Sequence, residues 1–456
     1  MIHLAAQYFL NHKLEDAELK RHVALLAHAG YECIYAHSRQ GLRTPYFSDG
    51  WWHAIGVMLE ECRRRHIKLA IWDEDTYPSP VAGGRILEEH PEYTAQHLAF
   101  TVLDAAAAKE IDHSCKCAGK IIRAFAVYED GRIADITGVC GTRRAVPDAR
   151  EIIHSAYSTQ TKIGSPHWRA RYSTRQWALM WTPAEACRIV IVQLSREHGR
   201  HELDLLNSDA VKAFLDSTHE EYFRRFGSDF GKLIPSVFFD EPAPDGEFPW
   251  TGVFAAEFQK EHGYDLMSRL PHLVLDISGE SRQVRLHYRA TQHRLQCENY
   301  LQQVQSWCSS HHIQSIGHLS RTEYLSYCNG ILWPDELACC RYIDIPCTDP
   351  LGAHAAWRDT SSYHTGLKVV SSAAHLFGKE QAGSDALAVT GDSTSLADMA
   401  FHLDYQMVLG ITYFNIHGLF YSTDGARKDE APPSLFYQHS EWELMSAVLE
   451  RTQKLC

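Results

Sequence analysis

The chain has 456 residues, 45% of them hydrophobic, enough to bury a large core in one barrel carrying insertions or in two or three domains. Acids outnumber bases, 57 to 44, and the formal net charge of -13 excludes the basic footprint that nucleic acid or an anionic membrane surface selects. No run approaches the ~18 apolar residues of a membrane span, Met1 to Phe9 lacks the marks of a signal peptide, and 13 irregularly spaced cysteines predict reduced, buried thiols in a cytosolic protein.

Met1 to Phe9 predicts a first strand. A helix follows over Leu14 to Ala29, with Leu19, Val23, Leu26 and Ala27 on one face and Gly30 as its stop. Cys33 to Ala36 reads as a second, short buried strand ending in His37-Ser38-Arg39. Trp52, Ile55, Leu59 and Cys62 at helical spacing predict a helix from about Asp49 to His66, and Lys68 to Trp72 a third strand that runs into Asp73-Glu74-Asp75. Three β–α repeats with polar strand ends favour a parallel barrel or sheet.

The rhythm then breaks. From about Leu98 to His201 the pattern is of short strands, such as Ile121 to Tyr128 before an Asp130-Gly131 hairpin signal, and Arg188 to Val192. Residues 98–201 are therefore expected to form a β-rich insertion, with 1–97 and 202–456 making the barrel. Trp168, Trp177 and Trp181 are read as packing the insertion's small core rather than covering a site.

Asn207 caps the next helix, whose buried stripe is Val211, Phe214, Leu215, Thr218, Tyr222 and Phe226. Val237 to Phe239 is a fourth strand, ending abruptly in Asp240-Glu241-Pro242. Helices over Phe254 to His262 and about Gln283 to Cys308 lead to a fifth strand, Ile313 to His318, and Tyr342 to Pro346 is the sixth. After a helix at about Leu367 to Phe377, position nominates Glu380 to Asp385 as the seventh despite poor propensity. A helix from Ser395 to Leu409 precedes the eighth, Ile411 to His417. Eight such units predict a (β/α)8 TIM barrel with a β-rich insertion after strand three.

Functional residues of such a barrel gather where the strands end, on one face. The candidates are His37, Arg39, Trp72, Asp73, Glu74, Asp75, Asp240, Glu241, His318, Asp344, Asp385, His417 and Tyr421. Acids ending strands four and seven lie across the mouth from each other, the arrangement that glycoside hydrolysis uses: one carboxyl protonates the leaving oxygen, the other attacks the anomeric carbon or activates water. Alternation points Asp73 and Asp75 to one side and Glu74 to the other; these acids suit sugar hydroxyls or Ca2+, with ion pairs to Arg39 or Arg43 as the structural alternative. His37, His318 and His417 are expected to contact sugar hydroxyls; as Zn2+ ligands they lack a spacing motif. Trp72 and Tyr421 offer rings to stack on a pyranose, although packing is the default for each. Gly83-Gly84 lacks the pattern of a phosphate loop. The chemistry requires no cofactor, and the expected partner is a carbohydrate.

In order along the chain, Gly41 to Asp49 (GLRTPYFSD), Trp72 to Arg85 (WDEDTYPSPVAGGR), Phe238 to Pro242 (FFDEP), Ile316 to His318, Ser371 to Lys379, and Gly425 to Asp429 with Pro432 to Ser434 resemble the barrel domain of glycoside hydrolase family 106, the α-L-rhamnosidases. The resemblance implies inverting hydrolysis of a terminal, rhamnose-like sugar from an oligosaccharide or glycoside, with Glu241 as general acid. It draws the second carboxylate from strand seven, where the family carries Ser-Glu and an apolar residue. This chain has Ser384-Asp385-Ala386, which withdraws the carboxylate by on the order of 1.5 Å. Misplacement by about 1 Å can cost ~100-fold in rate. A base working through water, with carboxyls about 6.5–9.5 Å apart, accommodates this better than a nucleophile at about 5–5.5 Å. The alternative is a carbohydrate-binding pseudoenzyme whose Asp385 no longer supports turnover. Relatives usually carry further β-sandwich domains, whereas this sequence ends shortly after the barrel closes, so contacts such domains provide are expected to be missing.

Overall fold

Eight parallel strands close into a barrel in this computed structural model, which describes residues 1–80, 82–115, 119–144, 175–195, 203–244, 246–322, 328–351 and 360–455. They are β1 (His3–Leu10), β2 (Cys33–Ser38), β3 (Lys68–Asp75), β4 (Ser236–Asp240), β5 (Gln314–His318), β6 (Ile345–Thr348), β7 (Gly383–Ala386) and β8 (Tyr413–Phe420). Each pairs with its sequence neighbours, and β8 closes on β1 through His3 with Tyr413 and Ala5 with Asn415. Strand alternation sends Leu4, Ala6, Tyr8 and Leu10 of β1 outward into the core beneath the helices, and Ala5, Gln7 and Phe9 toward the axis.

The helices form where their sequences cap and pack. In α1 (Asp16–Ala29), Leu19, Val23 and Leu26 are buried, and Gly30 ends the helix in the left-handed conformation at φ 106°. The Ser48 side chain accepts the Trp51 N–H to start α2 (Asp49–Arg65), and three arginines in its last turn complement the helix dipole. The helix begun at Asn207 breaks at Thr218 into Ser208–Ser217 and His219–Phe226, because the Thr218 hydroxyl donates back to the Phe214 carbonyl, a bond that bends helices. The segment expected as one helix to Cys308 comprises Glu280–Gln296, a π turn at Cys297–Leu301 and Gln302–Ser310.

Inside the barrel, the Tyr35 hydroxyl bonds Ser236 Oγ at 2.8 Å and the Tyr413 hydroxyl at 2.9 Å. Above this polar knot His37, Trp72 and Phe238 stack face to face, with centroid spacings of 3.9 and 4.4 Å. These rings plug the barrel and make the floor of its carboxyl-terminal mouth. On the outer wall β4 and β5 run so close that a Cβ on Gly317 would lie 2.3 Å from the Phe239 carbonyl oxygen. Backbone cannot rotate aside, so Gly317→Ala is expected to destabilise the fold by about 1–3 kcal/mol, read as a lower urea midpoint with unchanged m-value.

Two strands sit later than their sequence suggests. Pro346 lies inside β6, paired with Gly317, instead of ending the strand. Asp344 therefore precedes β6 at the opposite end of the barrel, where it accepts the Ser315 N–H and hydroxyl and the Gln305 amide; it does not reach the mouth. Likewise β7 starts at Gly383, not Glu380.

Strands between Gln96 and Ser195, with Pro249–Trp250 added at one edge, build two antiparallel sheets. The first runs Pro249–Trp250, Gln96–Ala105, Cys187–Ser195, Lys120–Val127, Ile133–Asp135; the second runs Ile111–Ser114, Arg175–Trp181, Cys140–Arg144. The hairpin at Asp130-Gly131 joins Lys120–Val127 to Ile133–Asp135, with Gly131 at φ 85°. Trp177 and Trp181 pack against a core of Leu179, Ile189 and Ile191, while Trp168 lies outside the described residues. Among the described residues no cysteines are joined in a disulfide, and no helix is long and apolar enough to cross a membrane.

Candidate functional site

Because inward positions recur every second residue, the strands deliver a ring of polar side chains to the mouth: Gln7, His37, Asp240, His318, Asp385, Asn415 and His417, joined by Asp349 one residue beyond β6. None is more than 7% exposed. Such groups are costly to bury unless a partner or a ligand satisfies them.

His318 is the centre of the ring. Its Nε2 lies 3.2 Å from Asp240 Oδ1 and 3.8 Å from Asp385 Oδ2, so it bridges the ends of strands four and seven. Burial works to lower its pKa, but the two carboxylates, with Asp349 adding charge, carry it well above the usual histidine value. Burial pushes the Asp385 carboxyl up to about 6 against the pull of His318. Asn415 steadies that carboxyl by donating Nδ2–H to Oδ1 at 3.3 Å.

Glu241 follows Asp240 with φ 48°, a left-handed conformation that residues with side chains seldom adopt and that concentrates at functional sites. It is 6% exposed. The segment around it is fastened: the Asp240 carbonyl accepts the Ser79 N–H, the Asp240 N–H donates to Ser79 Oγ, and the Pro242 carbonyl accepts Trp333 Nε1–H at 2.8 Å.

The Asp73-Glu74-Asp75 run does not share one site. Asp73 accepts the Ser79 hydroxyl at 2.5 Å and so holds the residue that holds Asp240; burial, then Glu74 and Asp240, raises its pKa well above the carboxylate range. Glu74 accepts the N–H groups of Asp75, Ala82 and Gly83, which fixes the glycine turn. Asp75 accepts the Ser38 hydroxyl. The three acids thus hold separate partners, Asp73 and Glu74 in the loop after β3 and Asp75 at the end of β2, and form no common oxygen cage. A different set, His318, Asp349 and Asp385, offers one ligand atom each, all within 4.8 Å of one another.

His37 and His417 flank Phe9 edge-on, at 5.3 and 4.9 Å. Burial and the charge of Arg39 lower both pKa values well below the usual, so both rings are neutral. His37 Nε2–H donates to the Thr76 carbonyl, which leaves Nδ1 a buried acceptor without a partner; His417 Nδ1 is also unpartnered. Arg39 gives its Nε–H to both oxygens of Glu430 and lies over the rings of Phe9 and Tyr77. Two expected stacking platforms are not available. Both faces of Trp72 are covered, by His37 and Phe238, and Tyr421 turns away to accept the Glu15 N–H beside Tyr8 and His22.

Gln7, Asp349 and Asn415 escaped the sequence reading. Gln7 has no partner for either amide atom, and Asn415 none for Oδ1. Their signal was a polar residue in phase with inward-facing neighbours: Gln7 two before Phe9, Asn415 two before His417, Asp349 two after Cys347.

A family model described as α-L-rhamnosidase, glycoside hydrolase family 106, matches residues 173–428, more than half of the chain and all of β4 to β8. No curated protein matches it in sequence. Among solved structures it is similar to a rhamnosidase from Novosphingobium sp. PP1Y, with TM-score 0.65 and 14% identity over 100% of this chain and 59% of that one. A β-galactosidase from Marinomonas ef1 follows at 0.55 and 7%, over 100% and 59%, and the catalytic domain of a Paenibacillus polymyxa β-amylase at 0.50 and 9%, over 91% and 92%. The chain thus spans 59% of the length of the first two, and at these identities the likeness is one of fold. With its barrel closed and most of its length matched, the chain belongs to the glycoside hydrolase 106 family of α-L-rhamnosidases.

Proposed function

We propose that the protein is a glycoside hydrolase that removes a terminal, rhamnose-like sugar with inversion, using Glu241 as general acid and Asp385 as general base. The observation that carries this reading is the buried Asp385, drawn up to about 6 and braced by Asn415 and by His318, which also reaches Asp240, the residue before Glu241. A base with a pKa near the working pH is both ionised and able to hold a proton. Above about 6 Asp385 takes a proton from water as the oxygen attacks the anomeric carbon, while Glu241 gives one to the departing oxygen. The aspartate is shorter than the family's glutamate, and the space it leaves suits a water molecule.

Binding falls to the other groups. Gln7, His37 Nδ1, His417 Nδ1 and Asn415 Oδ1 are buried atoms whose missing partners a polyol supplies, and Arg39, engaged through Nε, keeps its Nη groups for the sugar. A site built to hydrogen-bond hydroxyls rejects ligands without them. Neither proton transfer needs a cofactor. Asp349 and Asp385 are the oxygens a Ca2+ ion would take, and bound there it would help orient sugar hydroxyls. Thiols without disulfides among the described residues support a cytosolic location.

Aspartate in place of glutamate favours one other reading, a pseudoenzyme that binds sugar without turnover. A panel of p-nitrophenyl glycosides that includes the α-L-rhamnoside decides between them. Release from the rhamnoside is expected to exceed that of Glu241→Gln by about 10²–10⁴-fold. No release above the variant on any glycoside, with rhamnose still binding by calorimetry, would establish the pseudoenzyme.

A further inference from the structure

Away from the mouth, and sharing no residue with it, His293, Cys297 and Cys339 converge. His293 and Cys297 lie one turn apart on the same face of the helix that starts at Glu280, Cys297 opening its π turn; Cys339 ends the short helix Glu336–Cys339. The two sulfurs are 3.7 Å apart, and His293 Nδ1 lies 3.9 Å from Cys297 Sγ and 3.7 Å from Cys339 Sγ. Zinc in a tetrahedral site binds sulfur at about 2.3 Å and nitrogen at about 2.0–2.1 Å, which sets S···S near 3.8 Å and S···N near 3.6 Å. The triangle of donors matches these spacings to within about 0.3 Å.

We infer that His293, Cys297 and Cys339 form a structural zinc site that clamps the helix leading into β5 to the helix leading into β6. Water completes the tetrahedron, since among the described residues these three donors alone converge here, within 4.8 Å of one another. Two thiolates and an imidazole select a soft transition ion over Ca2+ or Mg2+, which prefer oxygen. Cys297 and Cys339 are buried, while the half-buried His293 gives the ion a way in. Bound there, zinc raises the stability of the folded chain by mass action.

The test is a titration of the full chain, reduced and stripped with chelator, first with Co2+ and then with Zn2+. Expected are one equivalent of tight binding, a sulfur-to-cobalt charge-transfer band bleached by Zn2+, and a Tm that rises with Zn2+. The band and the Tm shift should vanish in Cys297→Ser/Cys339→Ser. Affinity should fall at least tenfold in His293→Gln, and Asp385→Asn should change none of these. Because the band reports sulfur ligands, metal at the acidic mouth cannot imitate it. Absence of the band, its survival in the double cysteine variant, or a mass deficit of two hydrogens that Cys339→Ser removes would overturn the proposal, the last in favour of a disulfide.

Discussion

Asp385→Asn is expected to lower kcat toward the α-L-rhamnoside by about 10²–10⁴-fold with little change in KM, the pattern of a lost base rather than a lost contact. The amide keeps the size of the carboxyl and can still meet Asn415, so the ring should stay in place. In the unaltered protein, kcat/KM should rise with pH through a single ionisation at about 6, because on the proposed mechanism only the charged Asp385 accepts a proton from water. Its stability should move the other way. The folded carboxyl holds its proton more firmly than the unfolded one, whose pKa is ~3.9. Stability is therefore full below that value and lost as pH rises through about 6. Asp385→Asn escapes this loss and should have the higher urea midpoint at pH 8. Asp385→Glu tests the family difference: lower turnover means the aspartate is correctly placed for this chain, and a large gain means its reach had limited the rate. Unchanged kcat in Asp385→Asn would remove it from the mechanism.

His318→Leu should cost about 3–5 kcal/mol of stability at pH 7, the price of leaving buried charge without its counter-charge. Asp240 and Asp385 both lean on this imidazole, and Asp349 adds a third negative charge nearby. The sign with pH follows from the raised histidine pKa. His318 contributes in full below the unfolded value of ~6.5, and its contribution fades as pH rises through the higher folded value. Below about 6 the attraction weakens for another reason, since Asp385 takes up its proton. The variant's deficit should therefore be largest between these limits, which urea titrations at pH 5, 7 and 9 would map. A deficit under about 1 kcal/mol at pH 7 would show that the acids are satisfied without His318.

Much of the barrel was legible because its strands alternate with helices at regular spacing, and alternation within a strand places a histidine or aspartate in its later half on the inner face. Asp240, His318, Asp385, His37 and His417 are all found that way. The same rule fails at Asp73 to Asp75. Pairing of β2 with β3 shifts register between Ala36 and Ser38, and Thr76 then turns at φ 71°, so the acids leave the regular pleat and find separate partners. Asp344 was misplaced by a proline: Pro346 reads as a stop, yet it pairs inside β6, and the residue three further on becomes the one that faces the site. Gln7 and Asn415 sit within strands, not at their ends, and a search of strand ends passes over them. Which acid becomes charged at which pH depends on contacts between strands far apart in the chain, and no local pattern encodes that.

The short strand Pro249–Trp250 belongs to the barrel by connectivity and to the inserted sheet by hydrogen bonding, through His97 and Gln96. Seven residues lie between it and Glu241. The insertion is therefore not a cassette hung on two ends that can be cut out and the gap resealed. Its outermost ladder is completed by chain that has just left Glu241, so grafting this module onto another barrel would require transplanting part of the fourth loop with it.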